Sequence, residues 1–327
     1  MLELYLKRPY ELELRESHPS DFLQEGDVKI RLVYGGICGS DLRVFQGKLA
    51  HASYPIRPGH ELVGTIIEAG KAAPYKVGTR VVVFPNSFCG ECDLCLKGKT
   101  NICRHKKSIG VNADGGFSEA MTISAKYVFP IPEDLTDERA ILIEPFAVVV
   151  HALKKVVLNK DTTVAVVGSG NEGMLAVILA NYLGAKVTAI DINPMKREMV
   201  RKLADIKAIA PDEVGDEKYD VVIEAAGAKS AVEQTTRMVR SGGAVVLIGM
   251  IPEAELPIVD IVRNEITLYG SIIYTYPDDF LVSMEYLRDL SLNIDPIITK
   301  ILPWTEYQRA YEMALSGNQG KVVLDFK

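Results

Sequence analysis

The stretch Val164-Ala-Val-Val-Gly-Ser-Gly-Asn-Glu-Gly173 decides the fold. An apolar, β-branched run ends on Gly168-x-Gly170-x-x-Gly173, and an apolar helical pattern, GMLAVILANYLG (173–184), follows at once. Alone, such a glycine pattern is weak. Between a strand and a helix, and followed by VTAID ending on Asp191, it is a dinucleotide-binding fingerprint. Gly168 permits the tight turn, Gly170 lets the backbone approach a pyrophosphate, and Gly173 lets the helix lie close to the strand. The helix start, at Asn171 and Glu172, offers free N–H groups and a partial positive charge to phosphates. Asp191 ends the second strand, where a carboxylate binds a ribose 2′-hydroxyl and repels a 2′-phosphate. The candidate cofactor contacts are therefore Gly168, Gly170, Asn171, Glu172, Gly173 and Asp191, and the expected cofactor is NAD. Lys196 and Arg197, which would favour a 2′-phosphate, are expected on the solvated face of the next helix.

Working outward, the chain changes texture near Glu144-Pro145. Beyond it, FAVVVHALKKVVL (146–158) reads as a helix. The apolar runs TTVAVVG, AKVTAID, DVVIEAA, AVVLIG and ITLYGS then alternate with helical patterns such as NPMKREMVRKLA (193–204). That alternation predicts βαβ units, hence an α/β fold with a doubly wound parallel sheet. The near-continuous apolar content fits strands covered on both faces. Upstream the pattern is β-rich: DVKIRLVY (27–34) alternates with period two, and ELVGTIIEAG (61–70) and RVVVF (80–84) are further short strands. Few helices are expected before about residue 137. The tail from Ile272 reads as a helix (DDFLVSMEYLRDL, 278–290), a second helix (TEYQRAYEMALS, 305–316) and a last strand (KVVLDF, 321–326).

A chain of 327 residues suits two domains, and 48% hydrophobic with 24% charged residues excludes a disordered class. The net charge of -6 argues against nucleic-acid backbone binding, which needs a basic face. No apolar run reaches the roughly 18 residues of a membrane span. Charges within MLELYLKRPYELEL leave no signal-peptide core. A soluble, cytoplasmic protein without nucleic-acid or membrane partners is expected.

Four of the five cysteines form Cys89-x2-Cys92-x2-Cys95-x7-Cys103. Clustered cysteines in a cytosolic chain bind metal more often than they pair, and four thiolates from one loop describe a closed structural zinc site. Lys97, Lys99, Arg104, Lys106 and Lys107 nearby offset the charge of such a cluster. The fifth cysteine lies in Cys38-Gly39-Ser40-Asp41. Downstream stand Pro58-Gly59-His60-Glu61 and Ile143-Glu144-Pro145. A thiolate, an imidazole and a carboxylate suit a catalytic zinc with one open position. His18, His51, His105 and His151 lack such support and are read as structural or surface residues.

Taken together, CGSD, GHELVG followed by Gly70, the four-cysteine lobe, IEP and GSGNEG resemble the zinc-containing medium-chain dehydrogenase family over nearly the whole chain. Glu144-Pro145 resembles its branch of polyol, sorbitol, threonine and butanediol dehydrogenases. The resemblance implies a β-rich GroES-like catalytic domain of two segments, 1–146 and 272–327, around a Rossmann NAD-binding domain, 147–271. It also implies a catalytic zinc near nicotinamide, with Cys38, His60 and Glu61 at metal-site positions. Glu144 matches a further ligand or a carboxylate bonded to zinc-bound water. Which of Glu61 and Glu144 touches the metal stays open at this level. Ser40 matches the hydroxyl that relays the substrate proton, and homodimers or homotetramers are implied. Two features depart from the family: Arg43 stands where many relatives have a histidine, and the segment after Gly70 is short.

The expected activity is hydride transfer from a secondary alcohol, such as a polyol or vicinal diol, to NAD, with one catalytic and one structural zinc. If Glu61 and Glu144 both ionise near the metal, the extra negative charge suits a vicinally hydroxylated substrate. Phe45 is a candidate apolar wall, Tyr274-Thr275-Tyr276 a candidate polar segment, and Arg43 a candidate anion contact. Alternatives are a broad aliphatic alcohol dehydrogenase, or a sugar-alcohol phosphate or threonine dehydrogenase. A zinc-free reductase of the same fold would lack Cys38, His60 and Glu144 as a set. A zinc-ribbon interaction protein would not need Asp191 or the glycine turn.

Overall fold

The computed structural model describes residues 1–18, 23–203 and 206–327. The chain divides into two compact units, Met1–Glu144 with Ile298–Lys327, and Pro145–Ile297.

The second unit is built on a six-stranded parallel sheet. In spatial order its strands are Lys207–Ile209, Lys186–Ile190, Thr163–Val167, Tyr219–Glu224, Val239–Leu247 and Thr267–Gly270. In chain order that is 3-2-1-4-5-6, the doubly wound arrangement, whose switch point falls between Thr163–Val167 and Tyr219–Glu224. The apolar runs form these strands, and Ala165, Val222 and Val245 are fully buried in the core they build. The helix Asn171–Tyr182 buries its whole run from Gly173 to Ala180. The pattern read at 193–204 forms Pro194–Leu203; its last residue, Ala204, lies outside the described residues.

The first unit is β-rich, as expected. Its mixed sheet runs Ile298–Pro303, Lys321–Asp325, Asp27–Ile37, Glu61–Ala69, Arg80–Val83 and Val128–Pro130, with Ala120–Ser124 also paired to Asp27–Ile37. Alternate residues Val28, Ile30 and Leu32 face the core, the period of two seen in the sequence. A short helix, Gly39–Phe45, was not foreseen. Its start is fixed by Asp41, whose Oδ2 accepts the N–H of Cys38 at 2.9 Å, in the manner of a capping box.

The return to the first unit comes at Ile298, not at 272. Residues 272–297 stay with the second unit because their helix, Asp278–Arg288, is tied down there. The Tyr286 ring packs edge-on against Phe146 and Tyr182, at 6.1 and 5.8 Å between centroids. Asp279 accepts from His151 Nδ1 at 2.8 Å and Lys154 Nζ at 2.6 Å. His151 is thus a hydrogen-bond partner of the buried Asp279 carboxylate. Tyr274, read as part of a polar segment, is fully buried against Phe280.

Candidate metal centres and cofactor turn

Three strands of the first unit bring their ends together. Asp27–Ile37 delivers Cys38, Glu61 opens the neighbouring strand in register with Gly36, and Lys321 opens the strand on the other side, where Val322 pairs Ile37. The ligand atoms of Cys38, His60 and Glu61 lie within 4.8 Å of one another, all buried. Two glycines make room. A Cβ on Gly36 would meet Glu61 Oε2 at 2.0 Å, and a Cβ on Gly59 would meet the Phe117 ring at 2.1 Å.

His60 is held from both sides. Ser40 Oγ is 3.2 Å from Nε2, and Asp41 Oδ1 is 3.2 Å from Nδ1. The second contact is not directed as a hydrogen bond, so Nδ1 is a buried polar atom without one. Burial disfavours the charged ring, but the Asp41 carboxylate prevails and raises its pKa well above the ordinary value. Asp41 also accepts from Gly59 N at 3.3 Å, tying the CGSD turn to the GHE turn. Asp41 is a site residue beyond those expected; its place three residues after Cys38 is the signal for it in the sequence.

The larger surprise is Lys321. Its Nζ donates to Glu61 Oε1 and Oε2 at 2.5 and 2.7 Å, and neither side chain has any solvent exposure. Glu61 therefore stands beside the thiol and imidazole with its charge already opposed. Glu144 is buried in the first turn of the helix Ile143–Leu153 and falls outside the three-residue set. The Lys321 ammonium offsets the charge that Glu61 brings to the cluster. Phe45 packs on Tyr10 and Tyr311, with centroids 5.3 and 5.4 Å apart.

Cys89, Cys92, Cys95 and Cys103 also gather their sulfurs within 4.8 Å. Cys89 Sγ is 3.9 Å from Cys95 Sγ and 3.6 Å from Cys103 Sγ. Four sulfurs each 2.3 Å from a tetrahedral zinc would stand about 3.8 Å apart. The N–H groups of Cys89 and His105 point at Cys103 Sγ, and that of Cys92 at Cys89 Sγ, each at 3.4 Å. Without a cation four thiolates cannot coexist this closely. A backbone N–H from Cys95 brings Cys92 down to about 6, while burial and the neighbouring sulfurs push Cys95 up to about 12. A divalent cation removes that conflict, so the donor set fits zinc.

In the second unit the three glycines of the turn do different work. Gly168 has φ +93° and a Cβ there would meet Ala226 N at 2.5 Å; a Cβ on Gly173 would meet Gly168 O at 1.8 Å. A Cβ on Gly170 would meet nothing within 4 Å. Gly170 is the N-cap of the helix Asn171–Tyr182 and no side chain caps it, so its first N–H groups face an open approach. This is a fit for a pyrophosphate. Asp191 accepts from Ser169 N at 2.6 Å and Asn193 N at 2.7 Å, which orients its carboxylate beside the turn. Lys196 is buried rather than solvated; burial lowers its pKa against the pull of Asp191 and Glu172. Arg197 Nη1 donates to the carbonyls of Asp191 and Ile192.

A doubly wound dinucleotide scaffold and a β-rich unit carrying two metal-type ligand clusters define a metal-dependent nicotinamide oxidoreductase. The family models narrow this: residues 24–133 match the alcohol dehydrogenase GroES-like domain, and residues 173–288 match the zinc-binding dehydrogenase domain. The L-galactonate-5-dehydrogenase of Escherichia coli K12 is 31% identical, over 97% of this chain and 96% of that one. The sorbitol dehydrogenase of Bacillus subtilis is 31% identical over 92% and 90%. An alcohol dehydrogenase of Escherichia coli CFT073, solved with NADH, superposes with a TM-score of 0.92 at 28% identity, over 99% of both chains. The chain belongs to the zinc-type medium-chain alcohol dehydrogenase family, and it is an oxidoreductase that uses zinc and NAD(P).

Proposed function

We propose that this enzyme oxidises a secondary alcohol of a polyol or vicinal diol with NAD, using one catalytic and one structural zinc. The observation that carries the reading is the buried Cys38–His60–Glu61 cluster in a chain that also holds the open Gly170 turn. Cys38 and His60 would hold the catalytic ion, with Glu61 beside them and Glu144 outside the set; Cys89, Cys92, Cys95 and Cys103 would hold the structural one. When bound, zinc supplies Lewis acidity toward the carbinol oxygen, and nicotinamide accepts the hydride. Ser40 Oγ, which lies 3.2 Å from His60 Nε2 at the edge of the cluster, takes the carbinol proton and passes it toward solvent. Asp41 fixes His60 in turn, and Lys321 keeps Glu61 from carrying an unopposed buried charge.

NAD is favoured over NADP because the Asp191 carboxylate is held beside the turn, where a 2′-phosphate would meet it. The polyol class is supported by the relatives named for L-galactonate and sorbitol and by Ile143-Glu144-Pro145. No helix among the described residues is long and apolar enough to cross a membrane. Five cysteines without disulfides suit the reducing cytoplasm. We also read the protein as a homo-oligomer. Among the described residues Thr267–Gly270 ends its sheet with an unpaired, exposed edge, and the helix before it exposes Ile258, Val259 and Val262. A two-fold axis pairing that edge with its own copy would cover both. Metal analysis tests the core of the reading: two zinc ions per chain in the wild type, and one in Cys38→Ala with the fold retained. Equal zinc content in the two proteins would defeat it.

A further inference from the structure

Glu224 ends the strand Tyr219–Glu224, level with Val167 on one side and Leu247 on the other. Val167 immediately precedes the Gly168 turn. Glu224 therefore stands at the switch point of the sheet, where open α/β sheets bind ligands. Its side chain is fully buried, and the chemistry proposed above does not use it. A buried ionisable group is costly, and the residues level with it on the neighbouring strands, Val167 and Leu247, are apolar.

Its contacts join two loops. Oε1 accepts the N–H groups of Ala226 at 2.9 Å and Gly227 at 2.8 Å. The Glu224 carbonyl accepts those of Ile248 at 2.9 Å and Gly249 at 3.1 Å. Oε2 is buried with no hydrogen bond of its own. Burial raises the pKa of the carboxyl, and the N–H groups of Gly227, Ala226, Gly249 and Ala228 work against that rise. Space around it is closed: a Cβ on Gly249 would come 2.4 Å from Oε2 and 2.5 Å from Gly227 N. The loop held by Oε1 is the one on which the glycine turn rests, since a Cβ on Gly168 would meet Ala226 N and Cα at 2.5 and 2.7 Å.

We propose that Glu224 is a positioning residue for the dinucleotide. Through Ala226 and Gly227 it fixes the wall behind the Gly168 turn, so the turn's donors are set before the cofactor arrives. The inference rests on the reading of Gly168–Gly173 as the dinucleotide turn. A preformed site avoids an ordering cost on binding, and that is what the buried carboxylate provides.

The test is fluorescence titration of NADH into zinc-loaded wild type and Glu224→Leu. Leucine keeps most of the volume but removes the acceptor that holds the N–H groups of Ala226 and Gly227. The Kd for NADH should rise about tenfold. Zinc content, and KM for the alcohol at saturating NAD, should stay within about twofold, a split that general loosening of the fold would not produce. A folded Glu224→Leu that binds NADH as the wild type does overturns the proposal. If that variant does not fold, hydrogen exchange of the wild type decides. Slow exchange at Ala226 and Gly227 without cofactor supports the proposal; fast exchange that slows only on adding NADH overturns it. A wild type that binds no NADH sinks the reading of the turn itself, and this inference with it.

Discussion

Lys321→Met probes the buried ion pair beside the catalytic cluster. In the wild type the ammonium touches both oxygens of Glu61, and neither side chain is exposed. Methionine keeps most of the stem volume but leaves a carboxylate in the interior with no cation. Removing one partner of such a pair costs about 3–5 kcal/mol, because the remaining charge is stranded. Replacing both partners with apolar residues is often near neutral. Lys321→Met should therefore destabilise the first unit by about 3–5 kcal/mol, and Glu61→Leu with Lys321→Met should recover most of that loss. Urea unfolding followed by tryptophan fluorescence is suited to this. The chain has one tryptophan, Trp304, which is buried in the same unit and stacked on Phe326. A single variant losing less than about 1 kcal/mol, or a double variant no better than the single, would refute the argument that the pair is a buried, mutually dependent unit.

Cys95→Ala should lose the structural zinc and lower the unfolding temperature of the first unit, since a metal that binds only the folded lobe contributes to its stability; metal analysis with calorimetry checks this. Asp191→Ala should weaken NAD and narrow its advantage over NADP, read from kcat/KM with each cofactor; a wild type equally efficient with both would contradict the assignment. Burial pushes the Asp279 carboxyl up, but the hydrogen bonds from His151, Lys154 and Thr275 outweigh it and hold the pKa well below the usual range. A depressed folded pKa gives stability that is present above the unfolded pKa near 3.9 and lost as pH falls toward the folded one. Asp279→Asn should therefore be less stable than wild type at pH 7, with the gap closing below about pH 4; a gap that does not change with pH would count against the ion cluster.

Much of this was legible in the sequence because it is local. The glycine spacing, Asp191 after one strand and helix, and four cysteines within fifteen positions are set by short stretches of chain, and the structure reproduces their geometry. What was not legible joins distant residues. Lys321 is 260 positions from Glu61, and a lysine opening the last strand reads as a solvated charge until the register of the sheet brings it inward. Asp279 and His151 are 128 apart, and their pairing keeps residues 272–297 in the second unit. Tyr274 and Lys196 show the same limit on single side chains. Tyr274 reads as part of a polar segment and Lys196 as a solvated cation, while packing against Phe280 and beside Asp191 buries them.

The most direct measurement is NADH formation by zinc-loaded enzyme on ethanol, 2-butanol, 2,3-butanediol, sorbitol and threonine side by side, repeated after chelation. The account predicts the highest kcat/KM on a vicinal diol or polyol oxidised at a secondary carbon, with the rate lost when zinc is removed and restored when it is returned. A clear preference for ethanol, or turnover that survives complete removal of zinc, would contradict it.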